Sequence, residues 1–145
     1  MFDVHDCIGF ITNRGAKVVC EAMNEQFKKK DITRVQWMAL YYISHQNGSM
    51  TQKELASAMM ISEPTTVHLV ERMEQEGFIT RTSSTDNYRA KFLGLTKKGE
   101  QILKDLFPLV VEFNREGIDG ISEEELDVFK RVMHKMIENV QTIDL

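Results

Sequence analysis

Residues 51–98 constrain the fold of this chain most, because they contain two closely spaced signals for the start of a helix. Thr51 and Glu54 have the spacing of a capping box, in which each side chain bonds the backbone N–H of the other residue. Ser62 follows as a second N-cap, with Pro64 in the first turn, where its missing N–H costs nothing. The sequence therefore predicts a short helix, a tight turn and a second short helix.

A β-hairpin is predicted directly after the second helix, which ends at Gly77. Residues 78–83 and 89–95 alternate apolar and polar side chains, and residues 84–87 between them are turn formers. Two short helices followed by a hairpin are the pattern of a winged helix-turn-helix. In that arrangement the second helix reads bases in the major groove of DNA, and the hairpin, called the wing, reaches the neighbouring backbone or minor groove.

Longer helices are predicted on both sides of this segment. Residues 6–29 carry apolar side chains at helical spacing, and Thr33 with Gln36 forms a capping box in front of a strongly apolar helix. After the wing, Thr96 is expected to cap a long helix, which Pro108 should kink or break.

The last predicted helix starts at a further capping box, Ser122 with Glu125. All these elements together predict a mainly α fold with a small β-hairpin wing, of the α+β class.

The net charge of −4 is unevenly distributed along the chain. Residues 100–145 contain five basic and eleven acidic residues, whereas residues 1–30 and 31–99 each carry a net charge of +1. Residues 79–98 contain five basic residues and one acidic residue. Because local charge is what meets a phosphate backbone, the overall acidity does not exclude binding to DNA.

The solvent face of the second short helix supplies candidate DNA contacts. Thr65, Thr66, His68 and Arg72 fall off its inner apolar stripe, and their polar groups suit phosphates and base edges. Basic residues of the wing would add contacts to the DNA backbone or minor groove. The predicted DNA-binding residues are Ser62, Thr65, Thr66, His68, Arg72, Arg81, Asn87, Tyr88, Arg89 and Lys91.

The sequence resembles the multiple antibiotic resistance regulator (MarR) family. The resemblance is carried by residues 32–37, 51–56, 61–81 and 89–99, which include Ser-x-Pro-Thr at the second helix start and Leu-Thr-x-x-Gly after the wing. It implies a homodimer that binds a pseudo-palindromic double-stranded DNA operator, with half-sites about 34 Å apart. It also implies a transcriptional repressor that is released from DNA by an oxidant or by a small aromatic or phenolic effector.

The resemblance further implies a division of labour along the chain. Residues 1–30 and 100–145 would form a helical dimerisation region, and residues 31–99 would form the winged helix-turn-helix DNA-binding lobe. The apolar stripes of residues 8–27 and 102–140 fit this division, since one small domain could not easily bury them.

Two positions depart from the family pattern. The wing of the family usually carries Asp-x-Arg, whereas here Asn87 precedes Arg89 and Asp86 stands one residue early. Asn87 can still accept a hydrogen bond, but without the help of a charge. His68 stands where many members have Arg, so we expect a weaker and pH-dependent contact with DNA.

An effector pocket is expected between the dimerisation helices and the DNA-binding lobe, as the resemblance implies. Arg14, Trp37, Met38 and Tyr41 are candidates for its wall, and the alternative is that the last three are core residues.

Sensing of oxidants by a cysteine and sensing of metals are less favoured than binding of a small effector. Cys7 lies two residues from the position of the family's peroxide-sensing cysteine, so Cys7 and Cys20 are interpreted as free thiols. The four histidines show no pairing that demands a metal, so neither a metal nor a cofactor is predicted.

We expect a cytoplasmic protein that is not an enzyme. Asp3, His5 and Asp6 interrupt any apolar run at the start, so no signal peptide is predicted, and no segment approaches the ~20 apolar residues of a membrane span. The sequence lacks a Ser/His/Asp arrangement and a Gly-rich phosphate loop. The alternative function is a protein-interaction module built on the same fold, which Arg89→Ala would distinguish from a DNA-binding protein.

Overall fold

In residues 1–83 and 91–145, which the computed structural model describes, six α-helices and three short strands follow one another. The elements are a 3-10 turn at Val4–Asp6, α1 at Ile8–Lys28, α2 at Arg34–Ser44, β1 at Met50–Thr51, α3 at Gln52–Met59, α4 at Glu63–Gln75, β2 at Ile79–Ser83, β3 at Lys91–Leu95, α5 at Lys97–Gly117 and α6 at Glu123–Val140. The predicted mainly α fold with a β-hairpin wing is confirmed.

The predicted helix starts are confirmed in atomic detail. In each capping box the N-cap hydroxyl accepts a hydrogen bond from the backbone N–H three residues on, and the side chain there bonds back to the N-cap N–H. The capping boxes are Thr33 with Gln36, Thr51 with Glu54 and Ser122 with Glu125. Ser62 caps α4 by accepting from the Thr65 N–H at 3.2 Å. Each such cap stabilises its helix by about 1 kcal/mol, because it satisfies backbone donors that the helix leaves unpaired.

The wing belongs to a three-stranded antiparallel sheet with the strand order β1-β3-β2. β2 and β3 form the predicted hairpin, in register from Ile79 opposite Leu95 to Ser83 opposite Lys91. Strand β1 is an addition to the prediction: Met50 lies opposite Leu93. β3 is therefore the central strand, hydrogen-bonded on both edges.

Two compact units make up the chain, Met1–Pro108 and Leu109–Leu145. The buried apolar residues of the described chain all lie in the first unit. They are Phe27, Ile32, Trp37, Ala39, Leu40, Ile43, Met50, Leu55, Ala56, Val70, Met73, Phe78, Ile79, Leu93 and Leu106. The core thus joins the end of α1 to α2, α3, α4 and the sheet. In the second unit, α6 exposes a row of large apolar side chains that includes Val128, Phe129 and Val132.

Helix α5 extends from Lys97 to Gly117. Pro108 lies inside it, so of the two outcomes expected at Pro108, a kink or a break, the break does not occur. Thr96 caps its first turn as predicted, by accepting from the Gly99 N–H at 3.0 Å. Cys7 and Cys20 are both free, as predicted. Among the described residues, no helix is long and apolar enough to cross a membrane.

Candidate nucleic-acid interface

The helix-turn-helix consists of α3, α4 and a tight reversal between them. α3 ends at Met59, and the residue that caps it, Met60, has a φ of 54° in the left-handed region and is 92% exposed. The Ile61 N–H then donates to the Ala56 carbonyl at 3.1 Å, which closes the helix end, and Ser62 starts α4 one residue later. This reversal leaves the first residues of α4, from Ser62 to Thr65, exposed to solvent.

Four of the predicted DNA-binding residues share the open surface of α4. Ser62, Thr65, His68 and Arg72 are all exposed. Thr65, His68 and Arg72 are separated by three and four residues, so they follow one face of the helix. The Ser62 hydroxyl both caps the helix and donates to the Thr65 hydroxyl at 2.8 Å, which fixes the two groups together. This polar row, Ser62, Thr65, His68 and Arg72, is called the α4 face below.

Thr66 does not belong to the α4 face, and the prediction that it lies off the inner stripe is wrong. It is 1% exposed, and its hydroxyl donates to the Ser62 carbonyl at 3.0 Å. Thr66, Val70 and Met73 are buried at intervals of four and three residues, so they form the inner stripe of the helix. Burial removes the Thr66 hydroxyl from contact with DNA.

Arg81 is also placed differently from the prediction. Its Nε and Nη2 donate to the two carboxylate oxygens of Glu74 at 3.1 and 2.9 Å, and its Nη1 donates to Gln52 at 3.4 Å. Its side chain is 20% exposed. The hydrogen bond between the two side chains raises the pKa of Arg81 and lowers that of Glu74. Arg81 therefore ties strand β2 to α4 and α3, and it positions the wing instead of presenting a free guanidinium to DNA.

Lys91 is the described basic residue nearest the wing tip. It starts strand β3, lies opposite Ser83 and is exposed. The other predicted wing contacts, Asn87, Tyr88 and Arg89, lie outside the described residues.

Hydrogen bonds hold the base of the wing against the end of α4. The Thr96 hydroxyl donates to the Gly77 carbonyl at 2.6 Å, and the Thr96 N–H donates to the Phe78 carbonyl at 3.0 Å. Lys98 donates to the Glu76 carbonyl at 2.6 Å and stands over the Phe78 ring. A Cβ on Gly99 would overlap the carbonyl oxygen of Phe78. The Leu-Thr-x-x-Gly motif thus has a physical basis, because it joins α4, the wing and α5 at one point.

A cavity of about 650 Å³ lies within the first unit, between the end of α2, strand β3 and the first half of α5. Of the predicted pocket residues, Tyr41 lines this cavity, whereas Arg14 and Met38 do not. Trp37 is 2% exposed and stacks against Tyr41 from behind, so it supports the wall as a core residue.

The sequence reasoning missed most of the cavity wall. Glu100, Leu103, Lys104 and Phe107 of α5 line it, together with His45. The α5 residues recur at intervals of three, one and three, so helical spacing alone could have grouped them on one face. Only the fold could show that this face meets the end of α2.

Comparison with known proteins agrees with this geometry. Residues 32–91 match the family model described as the MarR family. The Staphylococcus aureus MepR–DNA complex is 24% identical, covers 96% of this chain and 99% of its own, and superposes with a TM-score of 0.84. Bordetella bronchiseptica BpsR, whose DNA binding is regulated by 6-hydroxynicotinic acid, is 15% identical, covers 99% of both chains and has a TM-score of 0.84. The transcriptional regulator SlyA is 25% identical over 96% of this chain and 94% of its own, with a TM-score of 0.79.

The capped α3–α4 pair and the wing anchored to it define a winged helix-turn-helix protein. Two findings point to one family within this class. They are the match of residues 32–91 to a family model and the likeness of fold over nearly the whole chain. Residues 32–91 match the MarR family, and the fold of the chain is that of the solved transcriptional regulators that it resembles.

Proposed function

We propose that this chain is a homodimeric repressor that binds a pseudo-palindromic operator and is released from it by a small aromatic effector. The α4 face carries this proposal: four exposed polar side chains lie on a helix whose position is fixed by α3, by the wing and by α5. Thr65 and His68, in the first two turns, would contact base edges, since recognition helices read DNA with their N-terminal residues. Arg89 and Lys91, with Asn87 and Tyr88, would anchor the wing to the backbone or minor groove.

The homodimer is supported by apolar surface in both units. On α1, Ile11, Val18 and Val19 are exposed, and on α6 Phe129 and Val132 are exposed. Large apolar side chains exposed along a helix are typical of an interaction site, and a second copy of the chain offers the same side chains in return. Sedimentation of the purified protein at micromolar concentration should give the mass of a dimer.

The effector is proposed to bind the cavity beside Tyr41. The His45 ring lies 4.4 Å from the Tyr41 ring, and its Nδ1 is 2.8 Å from the Tyr41 carbonyl, which can only accept a hydrogen bond. The neutral ring therefore carries its proton on Nδ1 and leaves Nε2 as an acceptor. Lys104 adds a cation, and Leu103 and Phe107 add apolar wall. A planar ring with a carboxylate for Lys104 and a donor for His45 fits this lining.

The effector site is tested by thermal unfolding with benzoate and 4-hydroxybenzoate. Ligands that bind only the folded state raise the melting temperature. Lys104→Gln should weaken this stabilisation, whereas Lys53→Gln, an exposed lysine on α3, should leave it unchanged. Equal responses of the two variants would remove Lys104 from the site.

Operator binding is tested with the promoter region of the protein's own gene. The chain should prefer this duplex to random DNA at physiological salt, and Thr65→Ala should reduce the preference. Arg89→Ala should weaken binding to both duplexes, because a basic wing residue would contact the backbone or the degenerate minor groove. The proposal fails if the protein shows no preference for the promoter duplex.

A further inference from the structure

Gln36 is a buried polar side chain whose amide reaches from α2 to the end of α4. The buried polar side chains among the described residues are Gln36, 3% exposed, and Thr66, which bonds within its own helix. The Gln36 Oε1 accepts from the Thr33 N–H at 3.0 Å, and its Nε2 donates to Glu76 Oε2 at 2.9 Å. The amide is fixed at both ends, so it holds the Glu76 carboxylate at a defined place.

Glu76 in turn holds Arg72. Its second carboxylate oxygen, Oε1, accepts from Arg72 Nε at 2.9 Å, across one turn of α4. The backbone of Glu76 is also fixed, because its carbonyl accepts from Lys98 at 2.6 Å. Both oxygens of the carboxylate are thus engaged, one by a neutral amide and one by a guanidinium.

Arg72 keeps four of its five N–H donors. Only its Nε is bonded within the described residues, and its side chain is 68% exposed. The two terminal nitrogens form the end of a planar fork that matches two oxygens of a phosphate. Arg72 lies on the α4 face but in the third turn, beyond the N-terminal residues that read bases. A backbone phosphate is therefore a better partner for it than a base edge.

We infer that Glu76, held by Gln36, is a positioning residue that prepares Arg72 to bind a DNA phosphate; this rests on the proposed DNA-binding function. A free arginine side chain loses rotamer freedom on binding, and an arginine already held through Nε loses less. The carboxylate also repels phosphate, so the two effects oppose each other. Because Gln36 and Arg72 both bind this carboxylate, we expect the positioning of Arg72 to outweigh the repulsion between the carboxylate and the phosphate.

The test uses a double-mutant cycle on a random-sequence duplex of roughly 30 base pairs, since phosphate contacts do not depend on sequence. The variants are Arg72→Ala, Glu76→Gln and both together, with Glu71→Gln as the control. Glu76→Gln keeps the shape of the side chain but leaves one acceptor oxygen for two donors. Glu71 is an exposed carboxylate beside Arg72, so its variant removes the same charge without touching the Arg72 guanidinium.

Arg72→Ala should weaken binding and reduce the slope of log K against log salt by about 1, as expected for one lost phosphate contact. Glu76→Gln should weaken binding by about threefold to fivefold, within the range of an exposed ion pair, while the salt slope stays unchanged. In the Arg72→Ala background the Glu76 substitution should have no further weakening effect. Glu71→Gln should strengthen binding slightly, because it removes a repulsive charge.

Three results would overturn the inference. These are tighter binding by Glu76→Gln, a weakening that persists without Arg72, and an Arg72→Ala variant with unchanged affinity and salt slope. Thermal unfolding of each variant, together with Glu76→Asp as a conservative replacement, separates a binding effect from a folding defect. If the unaltered chain does not bind the duplex, the proposed function fails as well. If the unaltered chain binds the duplex but the effects of the two substitutions are additive, only the positioning role of Glu76 is lost.

Discussion

Arg81 of strand β2 and Glu74 of helix α4 are joined by two hydrogen bonds, of 3.1 and 2.9 Å. Arg81→Ala should lower the free energy of unfolding by about 1–2 kcal/mol, because it leaves a half-buried carboxylate without its charged donor. Urea unfolding measures this loss. Arg115→Ala is the matched control, since Arg115 also pairs with a glutamate but is 65% exposed. It should lower the free energy of unfolding much less, because a solvent-exposed ion pair contributes little to stability. Equal losses in the two variants would mean that the Arg81 pair adds nothing beyond a surface ion pair.

The same pair predicts a dependence of stability on pH. The hydrogen bond from Arg81 lowers the pKa of Glu74 in the folded protein. A group with a lowered folded pKa contributes stability above its unfolded pKa, and that contribution is lost as the pH falls through the folded pKa. The difference in unfolding free energy between the natural chain and Glu74→Gln should therefore be constant near neutrality and shrink below about pH 4.3, the ordinary glutamate value. A difference that is the same in acid and at neutral pH would contradict this assignment.

The helix starts and the wing could be predicted because their signals are local. A capping box such as Thr51 with Glu54 is complete within four residues, and the alternation of the wing strands is visible in each strand alone. Strand β1 could not be predicted in this way, since two residues have no periodicity and their partner strand lies about forty residues later.

The candidate site was harder to predict, because its residues are exposed or paired according to distant parts of the chain. Thr66 has the spacing of the inner stripe, yet its hydroxyl suggested an exposed position. The structure satisfies that hydroxyl with the Ser62 carbonyl, four residues earlier, so burial leaves no unpaired group. Arg81 is a basic residue in a basic segment, which suggested a contact with DNA. Only the fold shows that Glu74 already binds its guanidinium.

Gly99 is predicted to tolerate no side chain. A Cβ there would overlap the Phe78 carbonyl oxygen, which cannot move freely because it accepts the Thr96 N–H. Gly99→Ala should therefore destabilise the protein by about 2–3 kcal/mol, as overpacking against backbone does. The control is Gly117→Ala at the end of α5, where nothing lies within 4 Å of the added Cβ. Unfolding in urea should show a neutral or slightly stabilising effect for the control, and a mild effect of Gly99→Ala would show that the junction can shift.

At Met60 a substitution to glycine is expected to stabilise the protein, in contrast to the substitution of Gly99. Its φ of 54° is left-handed, a conformation that costs a non-glycine residue about 1 kcal/mol, and its side chain is 92% exposed, so little packing offsets this cost. Met60→Gly should raise the free energy of unfolding by about 0.5–1 kcal/mol. Met59→Gly, one residue earlier at the last position of α3, should lower it, since glycine has a lower helix propensity than methionine. Thermal unfolding of the two variants checks the sign, and destabilisation by both would show that the turn between α3 and α4 depends on the Met60 side chain.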